Sequence, residues 1–304
     1  MDVHAGDILQ IDTLLGGIPG MTCVQVVQGD APALIDTGAQ TSAQTVRDAL
    51  HAAGIGAGDL AWLVLTHVHL DHCGAVGDLA RDFPNATVVV HPRGARHLAE
   101  PDRLVQGTAA LLGRLMPVMG GLTAVPEGRI IVAEDGHTIP LGSGRVLRAV
   151  HAPGHARHHM AVLDEGHGSL FTGDAIGVQM GGGDLYPTLP PPEYDLDAAL
   201  ASLDRLEALG ATRAYVSHAG PTADIGEAFD QGRRAQAAMG QAARESWASA
   251  PGDTEALWAA VEAAWPSVGA MSTPEARVRW TALKWLDNNV LGLAGMAERE
   301  ARTE

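Results

Sequence analysis

The run LVLTHVHLDHCGAV at residues 63–76 puts His67, His69, Asp71 and His72 into six positions, directly behind an apolar stretch from Leu60 to Leu65. Such a stretch reads as a buried strand, and Thr66 ends it. In near-extended chain, residues i and i+2 point the same way, so His67 and His69 can aim at one point. If the chain then turns into a helix at Asp71, that residue and His72 swing toward a second point nearby. Imidazole and carboxylate donors suit zinc, iron or manganese rather than a purely oxygen-seeking ion. The competing reading is a solvated polar loop.

Three further donor-type residues fall just after strand-like segments. VHAPGHARHH offers His155, LFTGDAIG offers Asp174 and YVSHAGP offers His218. Each is flanked by glycine, which lets the backbone approach closely and turn sharply. A lone histidine at a strand end is more often structural. Seven ligand-type residues at successive strand ends favour the metal reading over the loop. His151, His158 and His159 lie in the same histidine-rich segment; as ligands they are not needed. Cys73, next to His72, reads as a small buried residue.

The remaining pattern supplies a scaffold. Short β segments read over 7–36, followed by an amphipathic helix at 41–54 ending on Gly54. Strands follow at 60–65, 87–92, 129–133, 145–151, 160–164, 169–172 and 213–218. A helix is expected after the histidine run, another at 195–210, and one or two over 98–122 with Pro117 as a breaker. Beyond Pro221 no strand pattern remains, and five of the six tryptophans lie there, read as packing between helices. This alternation predicts an α/β domain over 1–222 and a helical C-terminal subdomain over 223–304.

Composition narrows the function. The 304 residues, 46% hydrophobic and 18% charged, are ample for a globular core. No apolar run approaches the ~18 residues of a membrane span. The start MDVHAGDILQ lacks a basic segment followed by an apolar one, and Cys23 and Cys73 give no disulfide framework, so a cytoplasmic location is expected. A net charge of −16, with Lys284 the only lysine, argues against nucleic acid or an anionic membrane as partner and leaves a small-molecule substrate.

Taken together, T-H-x-H-x-D-H at 66–72, PGH at 153–155, TGD at 172–174, SHAGP at 217–221 and the early LIDTG at 34–38 resemble the metallo-β-lactamase superfamily of metallo-hydrolases over roughly residues 5–222. The resemblance implies a four-layer αββα sandwich with a helical C-terminal extension. It implies two divalent ions, zinc first among the options and iron or manganese as alternatives. His67, His69 and His155 would hold the first ion. Asp71, His72 and His218 would hold the second. Asp174 would bridge them, with Asp71 handling the proton of the attacking water. Asp36 would orient a ligand, because a metal-bound imidazole needs its other nitrogen fixed.

The motifs leave the substrate open. The helical unit and full ligand set resemble the hydroxyacylglutathione hydrolase (glyoxalase II) branch, although the glutathione-binding basic residues of that branch have no clear match around Arg277 and Lys284. Acyl-homoserine lactonases commonly carry Tyr three residues past the bridging Asp, where Gly177 stands here. The expected activity is hydrolysis of a small ester-like substrate, a thioester or a lactone. The alternatives are a single-iron sulfur dioxygenase or a phosphodiesterase on the same fold. The loop at 177–195 begins three residues past Asp174, and Met180, Tyr186 and Tyr194 are its candidate substrate contacts.

Overall fold

The computed structural model describes residues 2–4, 8–179, 185–218, 220–265, 274, 277–279 and 285–302. The chain divides into two compact units, one of residues 1–151, 158–173 and 211–221, the other of 152–157, 174–210 and 222–304. This differs from a boundary at 222. The segments 152–157 and 174–210 group with the C-terminal helices, because they pack on those helices and on one another.

The first unit holds two sheets. Strands β1 (Asp2–His4), β2 (Ile8–Asp12), β3 (Cys23–Val27), β4 (Ala33–Ile35), β5 (Trp62–Val64), β6 (Thr87–Val90) and β7 (Ile130–Val132) run in sequence order across one sheet. Pairing is antiparallel from β1 to β4 and parallel from β4 to β7. The second sheet has the order β15–β14–β11–β10–β9–β8, made by β8 (Thr138–Gly142), β9 (Arg145–His151), β10 (Met160–Asp164), β11 (Ser169–Gly173), β14 (Arg213–Val216) and β15 (Gly220–Pro221). Their inner faces share one core, with Val27, Ile35, Val64 and Val89 from one sheet against Leu147, Val162, Phe171 and Tyr215 from the other. Burying one such aliphatic side chain contributes about 1.5–3 kcal/mol, so the shared face outweighs any single surface contact.

Helices α1 (Ala43–Ala52), α2 (Leu70–Cys73) and α3 (Val76–Asp82) link the parallel strands. Helix α1 stops where expected: Gly54 adopts φ 81°, and its N–H bonds the His51 carbonyl at 2.9 Å. Over 95–119 the chain forms α4 (Ala95–Ala99), α5 (Asp102–Leu112) and α6 (Met116–Met119). Pro117 sits in the first turn of α6 and so begins a helix rather than breaking one, since its missing N–H would be unsatisfied there anyway. The sequence hid β8. Its Pro140 and Gly142 read as turn residues, yet this is an edge strand with a register shift between those two positions, where proline is tolerated.

The second unit carries the ribbon β12 (Val178–Gln179) and β13 (Leu185–Tyr186), then α7 (Leu196–Glu207), α8 (Ile225–Ser249), α9 (Thr254–Ala264) and α10 (Trp285–Ala301). Asp195, Asp224 and Asp253 cap α7, α8 and α9, each accepting from a backbone N–H of the first turn. Helix α8 packs against α7, α9 and α10. Of the tryptophans expected to pack between helices, Trp258 on α9 is 42% exposed, and Trp280 lies outside the described residues. Among the described residues no helix is long and apolar enough to cross a membrane.

Candidate metal centre

The first unit gathers its donors at the C-terminal ends of parallel strands. Strand β5 ends at Val64 and delivers His67 and His69, which precede the short helix α2 carrying Asp71 and His72. Strand β14 ends at Val216 and delivers Ser217 and His218. Strand β4 ends at Ile35 and delivers Asp36, in the left-handed region at φ 58°. A non-glycine residue there is strained and persists only where its surroundings over-determine it.

Asp36 shows what over-determines it. Its carboxylate accepts from the Thr66 N–H at 2.8 Å, the Thr66 hydroxyl at 2.9 Å, the Ser217 hydroxyl at 2.9 Å and His72 Nδ1 at 3.0 Å. One buried residue at the end of β4 thus ties together the two strand ends that carry first-unit donors. The sequence pointed to Asp36 but not to Thr66 or Ser217. Their signal was membership of the T-H-x-H-x-D-H and SHAGP motifs, each directly preceding a candidate ligand histidine.

These bonds fix tautomers. A carboxylate and a carbonyl can only accept, so His72 Nδ1 facing Asp36 and His218 Nδ1 facing the Met21 carbonyl at 2.5 Å must each carry the proton. The Thr66 hydroxyl donates to Asp36 and therefore accepts from His67 Nδ1 at 3.0 Å. With the proton on Nδ1, the neutral form of each ring carries its lone pair on Nε2, the atom a metal ligand would use. Asp71 Oδ2 lies 3.6 Å from both His72 Nε2 and His218 Nε2. Two donors bound to one ion at ~2.0–2.2 Å in tetrahedral geometry stand about 3.3–3.6 Å apart, so these two spacings fit a small divalent ion. The Asp71, His72 and His218 donor atoms all lie within 4.8 Å of one another. The His67 ring stands 4.6 Å from that of His69 and 4.0 Å from that of His72.

Further histidines crowd the same place. The His158 ring is 5.4 Å from that of His69, and its Nδ1 accepts from the Val68 N–H at 3.3 Å. His159 stands 5.0 Å from His67, ring to ring. Gly173 explains part of the TGD motif: at φ 53°, a Cβ there would lie 2.6 Å from His159 Nε2 and 2.9 Å from Thr66 Cβ. The Cys73 thiol is pushed well above its usual range, first by burial and then by the Asp71 and Asp36 carboxylates, so it packs as a neutral group. His91 and His151 form a separate pair, rings 4.2 Å apart; burial first, then His151 and Arg93, lowers His91 to about 4.

The second unit holds His155 and Asp174. Gly154, at φ 134°, seats its backbone on α7, where a Cβ would come within 2.5 Å of Ala199. His155 Nε2 stands 3.6 Å from Asp174 Oδ2, the same ligand-like spacing. His155 Nδ1 faces both the Thr188 carbonyl at 3.0 Å and the Thr188 hydroxyl at 2.8 Å. Again the carbonyl requires the proton on Nδ1, and the hydroxyl is then oriented toward Asp174 Oδ2 at 3.5 Å. Nothing in the local sequence marks Thr188.

The loop expected to form a substrate rim is different in kind. Tyr186 is 3% exposed and Tyr194 0%, and the Tyr194 hydroxyl reaches Gln236 Oε1 of α8 at 3.3 Å. Both rings are buried, as their large apolar bodies favour. Met180 lies outside the described residues.

An α/β scaffold with two mixed sheets, a histidine and aspartate cluster at the strand ends and C-terminal helices defines a metal-centre protein of the sandwich type. The metallo-beta-lactamase superfamily model matches residues 20–218, and the chain belongs to that superfamily. A metallo-beta-lactamase fold-containing protein of Sulfurisphaera tokodaii, ST1585, is 37% identical over 136 residues, which are 43% of this chain and 50% of that protein. The crystal structure of ST1585 from Sulfolobus tokodaii superposes with a TM-score of 0.70 at 24% identity, covering 94% of this chain and 97% of that one. An atrochrysone carboxyl ACP thioesterase of Aspergillus novofumigatus, nsrC, is 31% identical over 171 residues, 54% of this chain and 42% of that protein. The chain spans about half the length of the curated relatives it matches.

Proposed function

We propose that the protein is a metal-dependent hydrolase with a dinuclear centre acting on a small thioester or, second, a lactone. In this reading His67, His69 and His155 would hold one ion, Asp71, His72 and His218 would hold the other, and Asp174 would serve both. The observation that carries it is the triangle of Asp71 Oδ2, His72 Nε2 and His218 Nε2, with both Nδ1 protons committed elsewhere. Such ions, when bound, make a nucleophile from water at neutral pH and stabilise the charge that develops on the electrophile.

The chain's own residues do the rest. Asp36, Thr66 and the Met21 carbonyl hold the rings in one tautomer and one orientation, so ordering them costs nothing during turnover. Asp71 takes the proton of the attacking water. Its side chain is 16% exposed, against 1% for Asp36 and 5% for Asp174, which makes it the carboxylate best placed to exchange protons with solvent. The name of the thioesterase relative supports the thioester over the lactone. The acidic balance, net −16, disfavours polyanionic substrates.

A panel of thioesters, lactones, β-lactams and phosphodiesters, run on zinc- and manganese-loaded protein with an Asp174→Ala control, tests the reading. Thioester turnover that the control lacks is expected. Activity confined to phosphodiesters would overturn the substrate class, and oxygen consumption by protein holding one iron would overturn hydrolysis itself.

A further inference from the structure

The contacts around Thr188 reach beyond that residue. Asn289, on α10 and 1% exposed, makes two hydrogen bonds to the loop: its Nδ2 donates to the Pro187 carbonyl at 2.8 Å, and its Oδ1 accepts from the Leu189 N–H at 2.9 Å. The Leu189 N–H and the Thr188 carbonyl belong to the same peptide group. That group is planar and trans, so its N–H and C=O point in opposite directions as one rigid plate. Asn289 holds the N–H end, and the C=O end accepts from His155 Nδ1 at 3.0 Å. Fixing one end therefore fixes the aim of the other.

Helix α10 is built to hold this plate. Gly292 lies one turn beyond Asn289 on the same face, and a Cβ there would meet the Leu189 carbonyl oxygen at 1.8 Å, so only glycine lets the helix seat so closely. A turn or two further on, Arg299 donates to the Pro192 and Tyr194 carbonyls, both at 2.5 Å. The loop from 187 to 194 is thus pinned along its length by one helix.

We propose that Asn289 is a positioning residue for the His155–Asp174 pair, acting through the Thr188–Leu189 peptide and the Thr188 hydroxyl. The inference rests on the proposed role of those two residues as metal ligands. The C-terminal helix then does more than extend the fold. It sets the tautomer and direction of one imidazole and the hydrogen bond to one carboxylate from more than 100 residues away in sequence.

The test is binding of Co²⁺, read by its visible absorption and by competition with a chromophoric chelator, on the whole chain. Circular dichroism and thermal melts of the metal-free proteins run alongside. Asn289→Ala is expected to weaken the ion held by His155 by roughly 10–100-fold and to change its absorption spectrum, the scale typical when a ligand's supporting partner is lost. Thr188→Val should do the same, and Thr188→Ser should restore binding. In the double variant the two losses should not add, because both act through one peptide and one hydroxyl. Asn289→Leu keeps the size while losing both hydrogen bonds, and it carries the same comparison if the alanine variant folds poorly. Wild-type affinity and spectrum in a folded Asn289 variant, or fully additive losses in the double variant, would overturn the inference. Failure of the unaltered protein to bind Co²⁺ would instead overturn the metal-centre reading beneath it.

Discussion

Asp174→Ala is expected to abolish turnover, by about a thousandfold or more, in a protein that still folds. The carboxylate is 4% exposed, its Oδ2 stands 3.6 Å from His155 Nε2, and it follows Gly173 at the end of β11. As the proposed bridge it serves both ions, so its loss lowers the occupancy of both. A loss of about 4 kcal/mol of transition-state stabilisation corresponds to that thousandfold at 1.36 kcal/mol per decade. The fold should survive, because alanine is smaller and removes a buried negative charge whose burial is itself unfavourable in the absence of an ion. His218→Ala provides the contrast. Its Nε2 stands 3.6 Å from Asp71 Oδ2, its fellow in the second proposed triad, so it should empty mainly one position. Metal content measured on both variants separates them, and equal, near-normal content in the two would show that the bridge has been misassigned.

Asp36→Ala is expected to have the largest effect on stability. Four hydrogen bonds from Thr66, Ser217 and His72 converge on this one carboxylate, which is 1% exposed. Removing it strands buried donors, each worth about 1–3 kcal/mol, and leaves alanine at φ 58° without the contacts that held the strained backbone. A total near 4 kcal/mol, allowing for water entering part of the gap, would lower the melting temperature by roughly 10 °C in a chain of this size. Metal affinity should fall as well, since His72 and His67 lose the groups that fix their tautomers. Asp36→Asn should recover part of the stability and less of the affinity, because an amide offers one acceptor oxygen where the carboxylate offers two. A melting temperature within a few degrees of the unaltered protein would show that Asp36 does not organise the strand ends.

Much of this was legible in the sequence, for identifiable reasons. His67, His69, Asp71 and His72 stood out because a strand and a following turn place them by local geometry alone. The glycines beside His155, Asp174 and His218 marked sharp turns, and the structure shows two of those glycines pressed against side chains or helix backbone that admit no Cβ. Strands β9, β10 and β11 carry apolar patterns that read directly. What stayed hidden depends on contacts distant in sequence. Asn289 bonds the residues on either side of Thr188 across about a hundred residues, and neither Thr188 nor Asn289 lies in a recognisable pattern. The burial of Tyr186 and Tyr194 was likewise hidden, because their loop is polar and proline-rich in sequence while its contacts lie far along the chain. Strand β8 was masked because edge pairing tolerates the proline that a central strand would reject.

The most direct test of the account is elemental analysis of folded protein prepared without chelators. Close to two ions of zinc, iron or manganese per chain is the expected result, falling in Asp174→Ala. A folded protein carrying well under one ion per chain, and taking up none on addition of zinc, would contradict it.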